Sequence, residues 1–182
     1  MPTGSPERKP QTAWLGKEGA IFKFAILTIS DAGSKGERED TSGDAISQIM
    51  GVEGFEQVMR DIIPDEKEQI SAKLIEWCDG GKVDLVLTTG GTGLGPRDVT
   101  PEATRAIIQI DVPGIPEAIR MQTFQKTPFA VLSRGIAGVR SGVLILNMPG
   151  SPRAVREWLE VALPVLPHAL EMIKGWRGHP VQ

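Results

Sequence analysis

The chain has 182 residues, of which 40% are hydrophobic and 24% charged, and its formal net charge is -3. This length suits one domain with a real core, and the negative charge argues against broad binding to nucleic acid or to an anionic membrane. The lone cysteine, Cys78, excludes an internal disulfide and a cysteine-rich metal site. No apolar run is long enough to span a membrane, and the first residues lack an apolar signal core, so we expect a cytoplasmic protein. The expected domain covers residues 21–176, with loose tails at 1–20 and 177–182.

The first half of the chain alternates predicted strands with predicted helices. Residues 24–29 are apolar and β-branched, as in a strand buried on both faces, and residues 30–36 are predicted to form a loop. Thr41 and Asp44 resemble a capping box for a helix that ends near residues 51–54. Residues 57–63 predict a second strand. A helix over residues 67–79 follows, with one apolar face made of Ile70, Leu74, Trp77 and Cys78.

The second half continues the alternation. Strands are predicted at residues 83–88 and 143–146, and a short edge strand at 129–132. Helices are predicted at 101–110, with Thr100 as its cap, and at 115–124. Another helix is predicted from residue 152, with Ser151 as its cap and an apolar stripe made of Val155, Trp158, Leu159 and Ala162, and a last helix ends at Lys174. Residues 132–140 are predicted to form a tight surface turn. This order indicates a single-domain three-layer α/β/α sandwich with a mostly parallel, doubly wound sheet, whose ligands bind at the carboxyl ends of the strands.

The glycine-rich segment after the third strand is the strongest functional signal. Four glycines fall within residues 90–95, followed by Arg97, Asp98 and a helix start at Thr100 and Pro101. Free N–H groups in such a loop can seat a phosphate. An acid beside a phosphate calls for a cation between them, so Asp98 suggests a Mg²⁺-assisted phosphoryl or nucleotidyl site. Arg97 fits a phosphate contact or a surface ion pair equally well.

Two other strand ends carry similar residues. Ser30 begins a Gly/Ser loop after the first strand, and Pro149, Gly150 and Ser151 follow the last strand. These N–H groups could converge on one multi-phosphate ligand, although Gly, Ser and Pro also simply make turns. Asp65 follows the second strand, where it could cap the next helix or join Asp98 in holding Mg²⁺.

Several standard signatures are missing from the sequence. No Gly-Lys-[Ser/Thr] follows a glycine at P-loop spacing, and Pro96 stands where a dinucleotide fingerprint needs Gly or Ala. No Gly-x-Ser-x-Gly is present, and His168 and His179 lack partners at metal-ligand spacing. Arg134, in the predicted turn, is only a weak candidate for anion binding. A redox cofactor and a serine-hydrolase site are therefore disfavoured.

The glycine-rich segment, residues 88–103, resembles the signature of the MogA/MoaB family of molybdenum cofactor biosynthesis proteins. Residues 27–31, 40–43, 63–66, 132–134 and 147–152 agree with that family, so the resemblance covers about residues 22–175. It implies adenylylation of molybdopterin by Mg-ATP with release of pyrophosphate. A separate protein then inserts molybdate, and relatives form homotrimers or hexamers.

The resemblance also implies the roles of individual residues. Asp65 and Asp98 are the expected catalytic acids and Mg²⁺ ligands. The residues expected to bind the phosphates of the nucleotide or the pterin are Ser30, Gly90, Gly91, Thr92, Gly93, Arg97, Thr100, Pro149, Gly150 and Ser151. The family includes MoaB-type members of doubtful activity, and residues 40–43 are more MoaB-like. An inactive molybdopterin-binding or carrier protein, or a scaffolding domain, therefore remains as an alternative.

Overall fold

The structure is a computed structural model that describes residues 21–175. The two predicted tails and Trp176 lie outside the described residues. The strands are β1 (Lys23–Ile29), β2 (Glu56–Ile63), β3 (Leu85–Thr89), β4 (Ile110–Asp111), β5 (Ala137–Arg140) and β6 (Val143–Met148). The helices are α1 (Asp31–Ser34), α2 (Thr41–Val52), α3 (Lys67–Asp79), α4 (Thr100–Arg105), α5 (Gly114–Phe124), α6 (Pro152–Ala162) and α7 (Leu166–Ile173). A 3-10 helix spans Pro128–Leu132.

The six strands form one sheet in the order β2-β1-β3-β6-β5-β4. The first four are mutually parallel, whereas β5 pairs antiparallel with β6 and β4 pairs antiparallel with β5. The parallel strands all end at one edge of the sheet, and the loops that follow them meet there. The chain therefore brings its first, second, third and last strand ends together.

Helices cover both faces of this sheet. Alternate side chains of β1 point to opposite faces, because a strand has a period of two residues. Phe24 and Ile26 pack in the core that contains α2, α5, α6 and α7. Ala25 and Leu27 pack in the core that contains α3 and α4. The expected three-layer sandwich is confirmed, and each fully buried large aliphatic side chain stabilises it by about 1.5–3 kcal/mol.

Local patterns predicted two helices well. Helix α3 has the predicted bounds, and all four residues of its predicted apolar face are buried. Burial raises the pKa of the Cys78 thiol to about 12, so this cysteine behaves as a core residue. Helix α6 buries its predicted stripe, which consists of Val155, Trp158, Leu159 and Ala162.

Other local predictions were wrong. Residues 129–132 belong to the 3-10 helix, and the predicted turn contains strand β5. Residues 31–34 form the short helix α1 within the predicted loop. Helix α4 ends at Arg105, so the predicted helix 101–110 is too long; its last residue already pairs in β4. Asp40, rather than Thr41, caps α2 by accepting from the Gly43 N–H.

No helix within residues 21–175 combines the length and the apolar character needed to cross a membrane.

Candidate functional site at the carboxyl edge of the sheet

A cleft of about 700 Å³ lies at the carboxyl edge of the parallel strands. Six of the predicted site residues line it, and they come from all four strand ends: Ser30, Asp65, Gly90, Gly91, Gly150 and Ser151. The loops after β3 and β6 touch closely, since a Cβ on Gly150 would stand 3.3 Å from the Gly90 Cα. The convergence expected from the sheet topology is therefore present.

In the glycine loop, residues 90–98, some N–H groups donate hydrogen bonds within the protein and others do not. The Gly90 N–H donates to the Met148 carbonyl at 3.1 Å, and the Gly95 N–H donates to Asp98 Oδ2 at 2.8 Å. Among residues 21–175, no acceptor takes the N–H groups of residues 91–94. Gly91 sits in the left-handed region at φ 63°, a conformation that favours glycine. The loop thus leaves four consecutive N–H groups without an acceptor among the described residues, an arrangement that can bind an anion, and the two flanking N–H groups hold its shape.

Asp98 folds back into the loop that carries it. A Cβ on Gly93 would stand 2.8 Å from Asp98 Oδ2, and one on Gly95 would stand 2.9 Å away. A side chain at either position would push the carboxylate out of its present place. This explains the glycine density as a structural requirement of the acid as well as of a ligand.

Thr100 lies beneath the loop instead of capping the next helix. Its buried hydroxyl donates to the Gly90 carbonyl at 2.9 Å, and its N–H donates to the Gly91 carbonyl at 3.1 Å. Val99 occupies the N-cap position of α4 without a side-chain hydrogen bond, so the predicted capping role of Thr100 is wrong. Thr100 stabilises the turn that presents the free N–H groups.

Asp65 occupies the wall of the cleft and does not cap α3, whose N-cap is Glu66. Its Oδ2 accepts from the Asp31 N–H at 2.8 Å, and its own N–H donates to Asp31 Oδ1 at 3.1 Å. Burial raises the pKa of Asp65, and the negative charges of Asp31 and Asp98 act in the same direction. The two predicted acids therefore sense each other's charge at the same edge of the sheet. A cation is the natural counterpart for such a carboxylate.

Arg97 forms ion pairs in this structure, which is one of the two roles that the sequence left open. Its guanidinium donates to Asp31 at 3.1 and 2.9 Å and forms a salt bridge of 2.8 Å with Glu66. The hydrogen bond from Arg97 lowers the pKa of Asp31. Arg97 thereby links the loops that follow β1, β2 and β3. No local pattern pointed to Asp31 and Glu66 as its partners, because they lie far away along the chain.

Asp40 also lines the cleft, and the sequence analysis had linked it only to family membership. Asp40 accepts from the Thr28 hydroxyl at 2.8 Å and pairs with Arg60 at 2.6 Å. Burial opposes its ionisation, yet the hydrogen bonds from Arg60, Gly43 and Thr28 together lower the pKa of Asp40. Arg38 adds a positive charge to the cleft lining.

The remaining predicted residues shape the loops around the cleft. Ser30 Oγ accepts from the Gly33 N–H at 3.0 Å, and Ser151 Oγ accepts from the Ala154 N–H at 3.1 Å, as predicted for a cap of α6. The Pro149 carbonyl accepts from the Thr89 hydroxyl at 2.7 Å. Thr92 is buried, and its carbonyl accepts from the Arg134 N–H. Thr92 and Pro149 are thus part of the frame around the cleft.

The donor set fits a divalent cation that is shared with a ligand. Among the described residues, no three His, Cys, Asp or Glu side chains form a metal cage of their own. Mg²⁺ typically takes one or two protein carboxylates and completes its shell with phosphate oxygens and water. Burial raises the pKa of Asp65, and the neighbouring charges of Asp31 and Asp98 add to this effect, so a nearby cation would favour the ionised carboxylate. Asp65 and Asp98 therefore suit a cation that arrives with a polyphosphate.

The fold and the cleft together define an α/β protein with a cleft at the carboxyl edge of its parallel strands. The chain belongs to the family described as a probable molybdopterin binding domain, whose model matches residues 25–168.

Similar proteins cover nearly the same region. The chain is 42% identical over 154 residues to a molybdopterin adenylyltransferase of Helicobacter pylori, covering 84% of this chain and 88% of that one. It is 43% identical over 152 residues to the molybdenum cofactor synthesis protein cinnamon of Drosophila melanogaster, covering 82% of this chain and 25% of that longer protein. Among solved structures, MoaB of Thermus thermophilus is 51% identical with a TM-score of 0.81, covering 85% of this chain and 98% of that one.

Proposed function

We propose that this protein transfers AMP from Mg-ATP to the terminal phosphate of molybdopterin. A phosphate oxygen of molybdopterin forms a bond to the α-phosphorus of ATP, the bond to the β-phosphate breaks, and pyrophosphate leaves. Relatives of similar length are named molybdopterin adenylyltransferases, at 42% identity in Helicobacter pylori and 37% in Pyrococcus furiosus. The product is the activated pterin into which a separate protein inserts molybdate.

One observation carries this proposal: the cleft is lined both by Gly91, the first residue of the loop whose N–H groups have no acceptor among the described residues, and by Asp65, a half-buried carboxylate of raised pKa. The N–H groups of residues 91–94 suit anionic oxygens, while Asp65 and Asp98 suit the cation that accompanies a polyphosphate. A pterin alone would need no such acids. The pairing of both features favours a nucleoside triphosphate as one of the two ligands.

The residues around the cleft have four proposed roles. Gly91, Thr92 and Gly93 donate N–H groups to phosphate oxygens, and Ser30, Gly150 and Ser151 contact the second ligand or the adenylate. Gly90, Thr100 and Pro149 hold the loops in place. Arg97 reaches a phosphate by exchanging one of its carboxylate partners. Phosphoryl transfers depend mainly on positioning and on charge stabilisation, which these residues provide.

Asp65 and Asp98 would hold Mg²⁺, which neutralises phosphate charge during transfer. Reciprocal hydrogen bonds between Asp65 and Asp31 fix one acid, and the Gly95 N–H fixes the other. Both carboxylates are therefore oriented before a ligand arrives, which reduces the reorganisation needed during the reaction.

The decisive experiment incubates the protein with molybdopterin, ATP and MgCl₂ and measures pyrophosphate and adenylyl-molybdopterin. We expect both products with the wild type, and a turnover at least about 100-fold lower for Asp98→Asn, whose amide keeps the loop contact but lacks the charge. Chelation of Mg²⁺ by EDTA should stop the reaction in the wild type. Tight molybdopterin binding without any pyrophosphate would instead identify a carrier protein and reject the enzymatic proposal.

The proposal extends to a homotrimer, or a hexamer of paired trimers, located in the cytoplasm, that passes its product to the molybdate-inserting protein. Large apolar side chains on α5 and the 3-10 helix support self-association, since Met121 and Phe129 are 71% and 73% exposed. Light scattering after size-exclusion chromatography measures the oligomeric state. A monomer at micromolar concentration would contradict this assembly.

A further inference from the structure

Arg134 lies between the 3-10 helix and β5, in a segment where the sequence suggested weak anion binding. The structure directs its side chain to the glycine loop. Nε donates to the Gly93 carbonyl at 2.7 Å, and a terminal nitrogen donates to the Asp98 carbonyl at 2.5 Å. The other terminal nitrogen pairs with Glu102 in the first turn of α4. The guanidinium thus joins the two ends of the Asp98 turn to the helix that follows it.

The backbone of Arg134 adds a fourth connection, because its N–H donates to the Thr92 carbonyl at 2.9 Å. Together with the two contacts from Thr100, these bonds engage the carbonyls of residues 90–93 and of Asp98. A peptide unit whose carbonyl is fixed also has a fixed N–H direction, since the peptide is planar. The free N–H groups of residues 91–94 are therefore oriented by contacts on the opposite side of the loop.

Arg134 is itself held by a rigid frame. Its neighbour Gly135 is buried, and a Cβ there would stand 2.6 Å from the Asn147 carbonyl and 3.0 Å from the Trp158 ring. The Gly135 carbonyl accepts from Arg120 at 2.9 Å. The buried Asn147 amide donates to the hydroxyls of Thr88 and Thr104, each at 3.0 Å. The guanidinium is thereby tied to the central strands.

The positive charge of the Arg134 guanidinium is matched by Glu102, so this side chain is engaged within the protein. Burial opposes ionisation of Glu102, yet the hydrogen bond from Arg134 prevails and lowers the pKa of Glu102. Both ends of this pair are already engaged with each other and with the loop. The donors of Arg134 are therefore engaged by the loop carbonyls and by Glu102. Arg134 does not line the cleft, so an anion bound there does not compete for it.

We infer that Arg134 is a positioning residue for the proposed AMP transfer, acting by clamping the turn that carries Asp98 and the free N–H groups. This inference rests on the proposed function for its catalytic consequence, but the clamp itself is a property of the protein without ligand. A lysine cannot replace it fully, because one ammonium lacks the planar fork that spans two carbonyls and a carboxylate.

A matched control exists in Arg140, whose guanidinium makes a similar set of bonds away from the cleft. It donates to both oxygens of Asp79 at 3.0 and 2.8 Å and to the Ile107 carbonyl at 2.9 Å. Because Arg140 pairs with Val143 at the start of β6, it lies at the opposite edge of the sheet. Arg140→Gln should therefore reproduce the general loss of an arginine network without disturbing the glycine loop.

The first measurement is amide hydrogen exchange of Gly95 and Asp98 in the protein without ligand, because these two N–H groups donate hydrogen bonds within the turn. In Arg134→Gln we expect exchange at least about tenfold faster than in the wild type, an intermediate rate in Arg134→Lys, and no change in Arg140→Gln. Should Arg134→Gln fail to fold, Arg134→Lys provides the test. Wild-type exchange in the folded Arg134 variants would overturn the clamp, whatever the protein catalyses.

The second measurement is single-turnover AMP transfer in a double-mutant cycle with Asp98→Asn. Arg134→Gln should slow the wild-type reaction at least about tenfold and slow the Asp98→Asn protein by a clearly smaller factor, since the clamp acts through that acid as well as through the N–H groups. Equal factors in both backgrounds would overturn the positioning role. If the wild type transfers no AMP, the proposed function fails, while hydrogen exchange still decides whether the clamp exists.

Discussion

Gly135 offers a sharp test of how tightly the frame under the cleft is packed. This buried glycine lies between the backbone of β6 and the ring of Trp158 in α6. Replacing it with alanine adds one methyl group at 2.6 Å from the Asn147 carbonyl and at 3.0 and 3.3 Å from two carbons of the Trp158 ring. The closest atom belongs to a central strand and the ring is only 2% exposed, so neither neighbour moves easily.

The expected loss of stability follows from these contacts. Overpacking of a tight core costs about 1–3 kcal/mol, and a clash with both backbone and a buried ring falls in the upper part of this range. Replacing glycine also restricts the unfolded chain, which returns about 0.4–1 kcal/mol. The net destabilisation of Gly135→Ala is therefore about 2 kcal/mol. For a chain of this size, that corresponds to a fall in Tm of about 4–8 °C.

Urea unfolding followed by tryptophan fluorescence measures this change, with calorimetry as a second probe. The control is Gly51→Ala on the exposed face of α2, where a new Cβ meets no atom within 4 Å. That substitution should stabilise the protein by about 0.5–1 kcal/mol, because alanine favours helix. The steric reasoning is refuted if Gly135→Ala unfolds at the same urea concentration as the wild type, or at a higher one.

Two further predictions concern the acids of the cleft. Asp65→Asn should lower AMP transfer at least about 100-fold. It should not lower stability at pH 7, because the raised pKa of Asp65 means that its ionised carboxylate opposes folding. A clear fall in Tm would contradict this. For Asp40 the sign is opposite, because its pKa is lowered on folding, so its contribution is present above the unfolded value of about 3.8 and is lost as the pH falls below it. Asp40→Asn keeps an acceptor for the Gly43 N–H but loses the charge facing Arg60, so chemical denaturation at pH 7 should show a loss of about 2 kcal/mol that shrinks below pH 3.8. An equal loss at pH 7 and pH 3 would contradict this assignment.

The sequence predicted those elements whose signals are local. Helix α3 was found with correct bounds because its apolar residues recur at helical spacing and two glycines follow it. The meeting of strand ends at one edge was also predictable, because it follows from the parallel topology alone. These features need no knowledge of which distant residues touch.

Elements that depend on distant partners were mispredicted. Strand β5 has the sequence Ala-Gly-Val-Arg, which carries no strand signal of its own and becomes a strand by pairing with β6. Residues 129–132 are apolar enough to suggest a strand, yet Phe129 and Val131 remain exposed in a 3-10 helix. At β5, tertiary pairing overrides local propensity.

The same limit applies to the site. The sequence identified Asp65, Asp98 and the glycine loop, but it left Arg97 between two roles and underestimated Arg134. The partners that decide these roles lie 66 residues away for Arg97 and Asp31, and 41 residues away for Arg134 and Gly93. No spacing rule reaches across such distances, so only the folded arrangement reveals them.

The strand order also has a consequence for synthesis on the ribosome. The last strand of the chain, β6, lies near the sheet centre and pairs with β3, which ends at Thr89. At about 5–20 residues per second, the ribosome needs roughly 3–12 s to add the chain between them. During that interval the backbone edge of β3 that later pairs with β6 is unpaired, and its apolar side chains are partly uncovered. We expect chaperones to bind this part of the nascent chain. The cleft forms only after β6 has been made, because Gly150 and Ser151 belong to its lining.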